Sequence, residues 1–237
     1  MIEILFENPW FLVINKPSGV LTQAVAGIDS IQSLLINQLQ DPRSGSPTPF
    51  IGIPHRLDRA TSGALVVARN QRALRRLSDQ FASRKVRKIY HAIVPRMASS
   101  ESITWRDTIR KVPDEARAEL ASETDDGAKE AVLHFRPLAP CWIHGEPTAS
   151  LVEIELETGR MHQIRLQFAS HGFPILGDSL YGSEVEWQDC RSGQRESPIA
   201  LHARSIEFRN PQNAEGICVE APYPNGWQSV FQKLDHE

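Results

Sequence analysis

The sequence predicts an α+β fold built on a largely antiparallel sheet. Three observations carry that expectation. Val152, Ile154 and Leu156 alternate with Glu153, Glu155 and Glu157, the period of a strand with one wet face. Leu74, Leu77 and Phe81 follow Asn70 at helical spacing, with arginines between them. Strand-like and helix-like stretches then succeed one another without the regular strand-helix-strand repeat of a parallel sheet. A chain of 237 residues can bury one substantial core, so one domain over 1–237 is expected, with two fused lobes as the alternative.

Taken in order, Phe11 to Ile14 is a continuous apolar run stopped by Asn15-Lys16-Pro17-Ser18-Gly19, which predicts a buried strand entering a tight turn. Residues 41–49, DPRSGSPTP, are too rich in turn formers to be anything but loop. Ala64 to Ala68 reads as a strand, and Asn70 caps the helix whose stripe is Leu74, Leu77 and Phe81. On that helix Arg72, Arg75, Arg76 and Asp79 fall on the wet face. Ile89 to Val94 is a further strand, whereas 113–130 offers little apolar periodicity and is expected to be a loop or an exposed excursion. After the alternating strand, Thr158-Gly159 turns the chain. Met161, Ile164 and Phe168 then line a short helix that Gly172 and Pro174 end. A strand over 199–208 and a closing helix with Trp227, Val230, Phe231 and Leu234 on one face complete the reading.

The formal net charge is -3, so composition alone does not suggest a polyanion binder. The distribution does. His55 to Lys88 carries ten Arg and Lys residues against Asp58 and Asp79, while Asp114 to Glu130 is mostly acidic. A solvated charged face explains the basic stretch as readily as a nucleic-acid track. No apolar run approaches the roughly 18 residues needed to span a bilayer, and the opening MIEILFENPW has no basic leader, so a cytosolic protein is expected. Cys141, Cys190 and Cys218 are odd in number and far apart, which disfavours disulfides or a cysteine-bound zinc; buried free thiols are expected.

The densest polar cluster is His55-Arg56-Leu57-Asp58-Arg59-Ala60-Thr61-Ser62-Gly63, placed just before a buried strand. Taken alone, its carboxylate is more simply a partner for Arg56 or Arg59. The cluster nevertheless resembles the HRLDxxTSG loop of the RluA family of pseudouridine synthases at every specified position. Further along, Asn15 to Gly19 resembles that family's NKPSG turn, Lys88-Ile89-Tyr90 its KxY strand, and Thr158 to Arg165 its TGRxHQIR turn and helix. GFPILGDSLYG and Leu201-His202-Ala203 are similar to its last blocks. The resemblance spans about residues 11 to 224.

It implies isomerisation of uridine to pseudouridine in structured RNA, with Asp58 as nucleophile, Tyr90 against the base, Arg165 as the basic partner and Leu201 in an apolar wall. The chemistry agrees with these assignments. Cleaving the ribose C1′ to uracil N1 bond leaves C1′ electron-poor, and an ionised carboxylate stabilises or captures it. Arg165 would keep Asp58 charged by a charge-assisted contact. Tyr90 offers a face for stacking and a hydroxyl for proton transfer at C5. Since a stacked uridine must be flipped out, Arg56, on the same side of an extended segment as Asp58, is expected to fill the gap. His55, Arg160 and His162 join the substrate-binding set, and Arg72, Arg75, Arg76 and Lys88 the RNA backbone track. No cofactor or metal is expected, because the isomerisation is redox-neutral and no nucleotide or metal motif occurs. The expected partner is transfer or large-subunit ribosomal RNA, and the expected state a monomer.

Three departures from the family pattern stand out. The sequence begins directly in the catalytic region, without the small N-terminal RNA-binding domain of many members. Gln167 replaces a usual histidine, and Leu21-Thr22-Gln23 occupies a segment where a histidine is common. Two other readings remain: a non-catalytic RNA-binding protein of the same fold, and a base-releasing glycosylase, which also flips a nucleotide and attacks C1′.

Overall fold

The computed structural model describes residues 1–23, 27–40, 48–98, 101–187 and 197–231. Ten strands are present among them: β1 (Glu3–Glu7), β2 (Phe11–Lys16), β3 (Ser62–Ala68), β4 (Arg87–Pro95), β5 (Ile103–Lys111), β6 (Ala118–Leu120), β7 (Lys129–Ile143), β8 (Glu146–Leu156), β9 (Leu201–Arg209) and β10 (Gly216–Glu220). The helices are α1 (Ile31–Leu39), α2 (Gln71–Ala82), α3 (Gln163–Ser170) and α4 (Gln228–Phe231). Every strand pair whose register is defined is antiparallel, as the α+β expectation requires. The chain gathers into two compact units, Met1–Lys88 with Ala203–Tyr223 and Ile89–His202 with Pro224–Glu237.

In the first unit β2 lies between β1 and β3 and is buried along nearly its whole length, which is why it reads as a continuous apolar run rather than an alternation. Phe11 and Val13 of β2 and Ala64 and Val66 of β3 pack with Ala73 and Leu77 of α2 and with Ile206 and Phe208 of β9. Each large side chain so buried contributes about 1.5–3 kcal/mol. The Asn70 side chain accepts from the Ala73 N–H at 2.8 Å, so the predicted cap starts α2 where the sequence placed it.

In the second unit the strand order is β4-β8-β7-β5-β6. Trp105 of β5, Phe135 of β7 and Phe168 of α3 form an aromatic cluster with ring centroids 4.3–5.0 Å apart, seating α3 on this sheet. Of the two expectations for 113–130, a loop or an exposed excursion, the second is met, and the loop is corrected by a short strand. Ala118–Leu120 forms β6 on β5, and β7 already begins at Lys129. Ala118 is buried there and its N–H is received by the Tyr181 hydroxyl at 2.8 Å, a tertiary contact that a three-residue strand cannot advertise in its own periodicity. Arg110 and Arg117 pair with Glu119 and Glu115 in the same hairpin. The buried-thiol expectation holds for Cys141 and fails for Cys218, which lies on the exposed side of β10 beside buried Val219. Cys190, Leu234 and residues 41–47 lie outside the described residues.

Candidate active site

The antiparallel register of β2 and β3 sets Lys16 opposite Gly63. The turn that follows β2 and the loop that precedes β3 therefore meet at one end of the pair. Two motifs 40 residues apart in sequence become one structure. The fully buried Lys16 ammonium donates to the carbonyls of Pro17 (3.0 Å), Arg59 (3.2 Å) and Thr61 (2.7 Å). Ser18 Oγ donates to the Ala60 carbonyl at 2.7 Å, and the Gly19 N–H to the Arg59 carbonyl at 2.8 Å. In return Arg59 Nε donates to the Gly19 carbonyl at 2.8 Å. Thr22 Oγ1 holds the Leu57 carbonyl at 2.8 Å, and the Thr61 N–H closes the loop on the Asp58 carbonyl at 3.1 Å. Asp58 thus sits, partly exposed, on a backbone held at the residues before and after it. Gly63 is required at the loop's exit. Its φ is +113°, and a Cβ would come within 2.3 Å of the Ala203 carbonyl oxygen.

The remaining predicted residues of this unit divide. Arg56 is exposed on the same loop. His55 turns to structural work: its Nε2 accepts from the Val66 N–H at 3.0 Å and its ring stacks on Phe81 at 4.2 Å. Burial, with the nearby Lys88 cation second, lowers the imidazole pKa to about 3 and keeps it neutral. Lys88 is itself half-buried, and burial, reinforced by Arg84, holds its pKa below the usual lysine range. Arg72 and Arg76 lie over the Trp10 ring at 5.5 and 5.8 Å, and Arg76 also donates to the Pro211 carbonyl. All three helix arginines are exposed, yet two of them are held against the fold.

In the second unit Tyr90 lies on β4 opposite Ile154 of β8 and is buried. Leu201 is buried at the start of β9, where the neighbouring Ala200 carbonyl accepts from the Ile93 N–H of β4 at 3.0 Å. The Gln163 side chain fixes the start of α3 by accepting from Thr158 Oγ1 (2.8 Å) and the Arg160 N–H (3.0 Å) while donating to the Val132 carbonyl (3.1 Å). Arg160 Nε donates to the Glu130 carbonyl at 3.0 Å. His162, with φ +50°, begins the helix, and α3 carries Arg165 to a position 1 % exposed.

A residue that sequence reasoning did not single out holds Arg165. Asp178, also 1 % exposed, accepts from Arg165 Nε at 2.7 Å and from Nη2 at 2.8 Å. The contact from Arg165 to Asp178 is bidentate. Tyr181 lies under the guanidinium at 5.2 Å, and its hydroxyl is 3.0 Å from His162 Nδ1. Asp178 and Tyr181 both belong to the GDSLYG block. A lone acid in an otherwise apolar and turn-forming stretch was the available signal. Gln167, the departure from the family pattern, donates to Asp107 at 2.7 Å and to the Ala131 carbonyl at 3.2 Å.

The family model described as RNA pseudouridylate synthase matches residues 10–170. Ribosomal large subunit pseudouridine synthase D of Zymomonas mobilis is 33 % identical over 98 % of this chain and 73 % of its own length. The tRNA pseudouridine synthase C of Salmonella typhi is 31 % identical over 99 % of this chain and 90 % of its own. Human RNA pseudouridylate synthase domain containing 4 superposes with a TM-score of 0.72 at 22 % identity, over 96 % of this chain and 90 % of that one, a likeness of fold. The family model and relatives that match nearly the whole of this chain, together with the HRLDRATSG loop, establish that the chain belongs to the RNA pseudouridylate synthase family, whose members are isomerases.

Proposed function

We propose that this enzyme converts a uridine of transfer RNA or large-subunit ribosomal RNA to pseudouridine with Asp58 as its nucleophile, acting in the cytoplasm as a monomer without a cofactor. The observation that carries the reading is the loop itself: a carboxylate, partly exposed, on a backbone pinned from both sides by Lys16, Ser18 and Thr22. Such rigidity has a cost in conformational entropy that only a positional requirement explains.

In the proposed reaction the target uridine leaves its stack, and Arg56 fills the gap. The C1′–N1 bond breaks as Asp58 stabilises or captures C1′. Uracil rotates and a C1′–C5 bond forms, any bond between C1′ and Asp58 breaking as it does so and returning its electron pair to the carboxylate. The proton on C5 is then lost, with the Tyr90 hydroxyl taking part, and N1 gains one, so atoms and electrons balance and the RNA mass is unchanged. Arg165 supplies the cation that keeps the nucleophilic carboxylate charged, and Leu201 an apolar wall. Arg160 and Arg75 are proposed to meet RNA. His162 joins the set through Arg165.

Both relatives named above fit the RNA choice, one being named for large-subunit ribosomal RNA and the other for tRNA. The test incubates the purified protein with tRNA and large-subunit rRNA from cells lacking it, then maps pseudouridine by specific chemical labelling and weighs the RNA. New label at one or a few uridines with unchanged mass is expected. Loss of one uracil mass would make it a glycosylase, and binding without label a non-catalytic RNA binder.

A further inference from the structure

We infer that Asp178 and Tyr181 form a clamp that aims the Arg165 guanidinium, which makes Asp178 a positioning residue for the reaction. The inference rests on the proposed function through Arg165 and adds the device that holds it.

A guanidinium has five N–H donors in one plane, and its direction is fixed only when that plane is fixed. Asp178 takes two parallel donors, Nε and Nη2, in a fork-to-fork contact that sets both tilt and rotation. The Tyr181 ring at 5.2 Å supports one face. His162 Nε2, 3.4 Å from Nη1, borders the remaining edge. His162 is steadied in turn by the Tyr181 hydroxyl, which Ala118 of β6 anchors through its N–H.

The carboxylate is placed to position Arg165. Each Asp178 oxygen receives an Arg165 N–H, and the side chain is 1 % exposed. The backbone around it is overdetermined. The Asp178 N–H donates to the Ile175 carbonyl at 3.0 Å, and the Asp178 carbonyl accepts from the N–H groups of Tyr181 (3.1 Å) and Ser183 (3.0 Å). Leu176 ties the segment to β4 through the Ile93 carbonyl at 3.0 Å. Gly177 permits the turn with φ +83°, where a Cβ would meet Trp187 Cβ at 2.5 Å. An ordinary buried ion pair does not need this much support on one side. Such support is expected where the direction of the cation matters.

The experiment is a double-mutant cycle on Arg165→Met and Asp178→Asn. It measures single-turnover pseudouridine formation at saturating tRNA or rRNA, together with RNA affinity and thermal unfolding. Asp178→Asn is expected to slow the reaction by about 100-fold while RNA affinity changes by less than about threefold. The double variant should be no slower than Arg165→Met alone, because Asp178 acts through Arg165. Losses that multiply in the double variant, or an Asp178→Asn rate within about threefold of wild type, overturn the inference. Asp178→Glu keeps the charge while displacing the carboxylate by one methylene, and it serves if Asp178→Asn does not fold. It too should be slow and non-additive with Arg165→Met, and a wild-type rate overturns the clamp. Should Arg165→Met itself retain the wild-type rate, it is the role proposed for Arg165 that fails.

Discussion

Replacing Lys16 by methionine keeps the length and most of the volume of the side chain and removes its charge and its three donors. The structure sets the size of the effect. The Arg59 carbonyl keeps the Gly19 N–H, and Pro17 is exposed, so its carbonyl can turn to water. Thr61 is 2 % exposed, and its carbonyl loses the 2.7 Å bond from the ammonium. Leaving one buried carbonyl unsatisfied costs about 1–3 kcal/mol, and relief of the desolvated ammonium offsets part of this. A net loss of about 1–2 kcal/mol in denaturant-derived stability is therefore expected. Activity should suffer more, since Arg59 and Thr61 flank Asp58 and a loop displaced by about 1 Å costs about 100-fold in rate. Urea unfolding and single-turnover labelling under conditions where the variant is more than nine-tenths folded separate the two effects. A Lys16→Met protein with rate and stability both close to wild type would refute the idea that Lys16 holds the catalytic loop.

Other expectations follow from single contacts. His55 is neutral in the folded protein at a pKa of about 3 and titrates near 6.5 when unfolded, so the unfolded chain takes up the proton first. Stability should therefore fall as pH drops from about 6.5 towards 3, and His55→Gln, which keeps an acceptor for the Val66 N–H, should flatten that part of the profile. An unchanged slope in pH-dependent unfolding would contradict the neutral assignment. Arg75→Ala should flatten the log-log salt dependence of RNA binding by about 0.7–0.9 with little change in stability. Arg76→Ala should instead lower stability by about 0.5–1.5 kcal/mol through its lost Pro211 bond. Equal salt slopes for wild type and Arg75→Ala would remove α2 from the RNA track. Among the described residues the buried Thr61 hydroxyl has no hydrogen-bond partner. Thr61→Val should accordingly leave the melting temperature unchanged or raise it, and a drop of several degrees would reveal a contact made by that hydroxyl.

Features that follow from local pattern were legible in the sequence. The Asn70 cap and the Leu77 stripe place the start of α2, and the alternation through Glu153 and Glu155 places the second half of β8. The Asp58 loop was visible as a polar cluster before an apolar strand. What was hidden depends on partners distant in the chain. Lys16 reads as part of the turn that stops a strand, and only the β2–β3 register brings it to Thr61, 45 residues later. Asp178 becomes intelligible only once α3 has carried Arg165 to it. His55 looked like substrate-binding chemistry because its motif did, while the Val66 N–H and the Phe81 ring that claim it lie beyond the motif. The long strand β7 is disguised by Pro137 and Pro140, which lack N–H donors; its register shifts fall at Pro137/Ala139 and Cys141/Ile143.

The most direct test of the central claim is Asp58→Asn, which keeps shape and removes the nucleophilic charge. RNA binding by gel shift and pseudouridine formation by chemical labelling are measured on the same folded variant. RNA affinity within about threefold of wild type and no pseudouridine above the enzyme-free background are expected. Product formation within about tenfold of the wild-type rate, a barrier change of only about 1.4 kcal/mol, would contradict the claim.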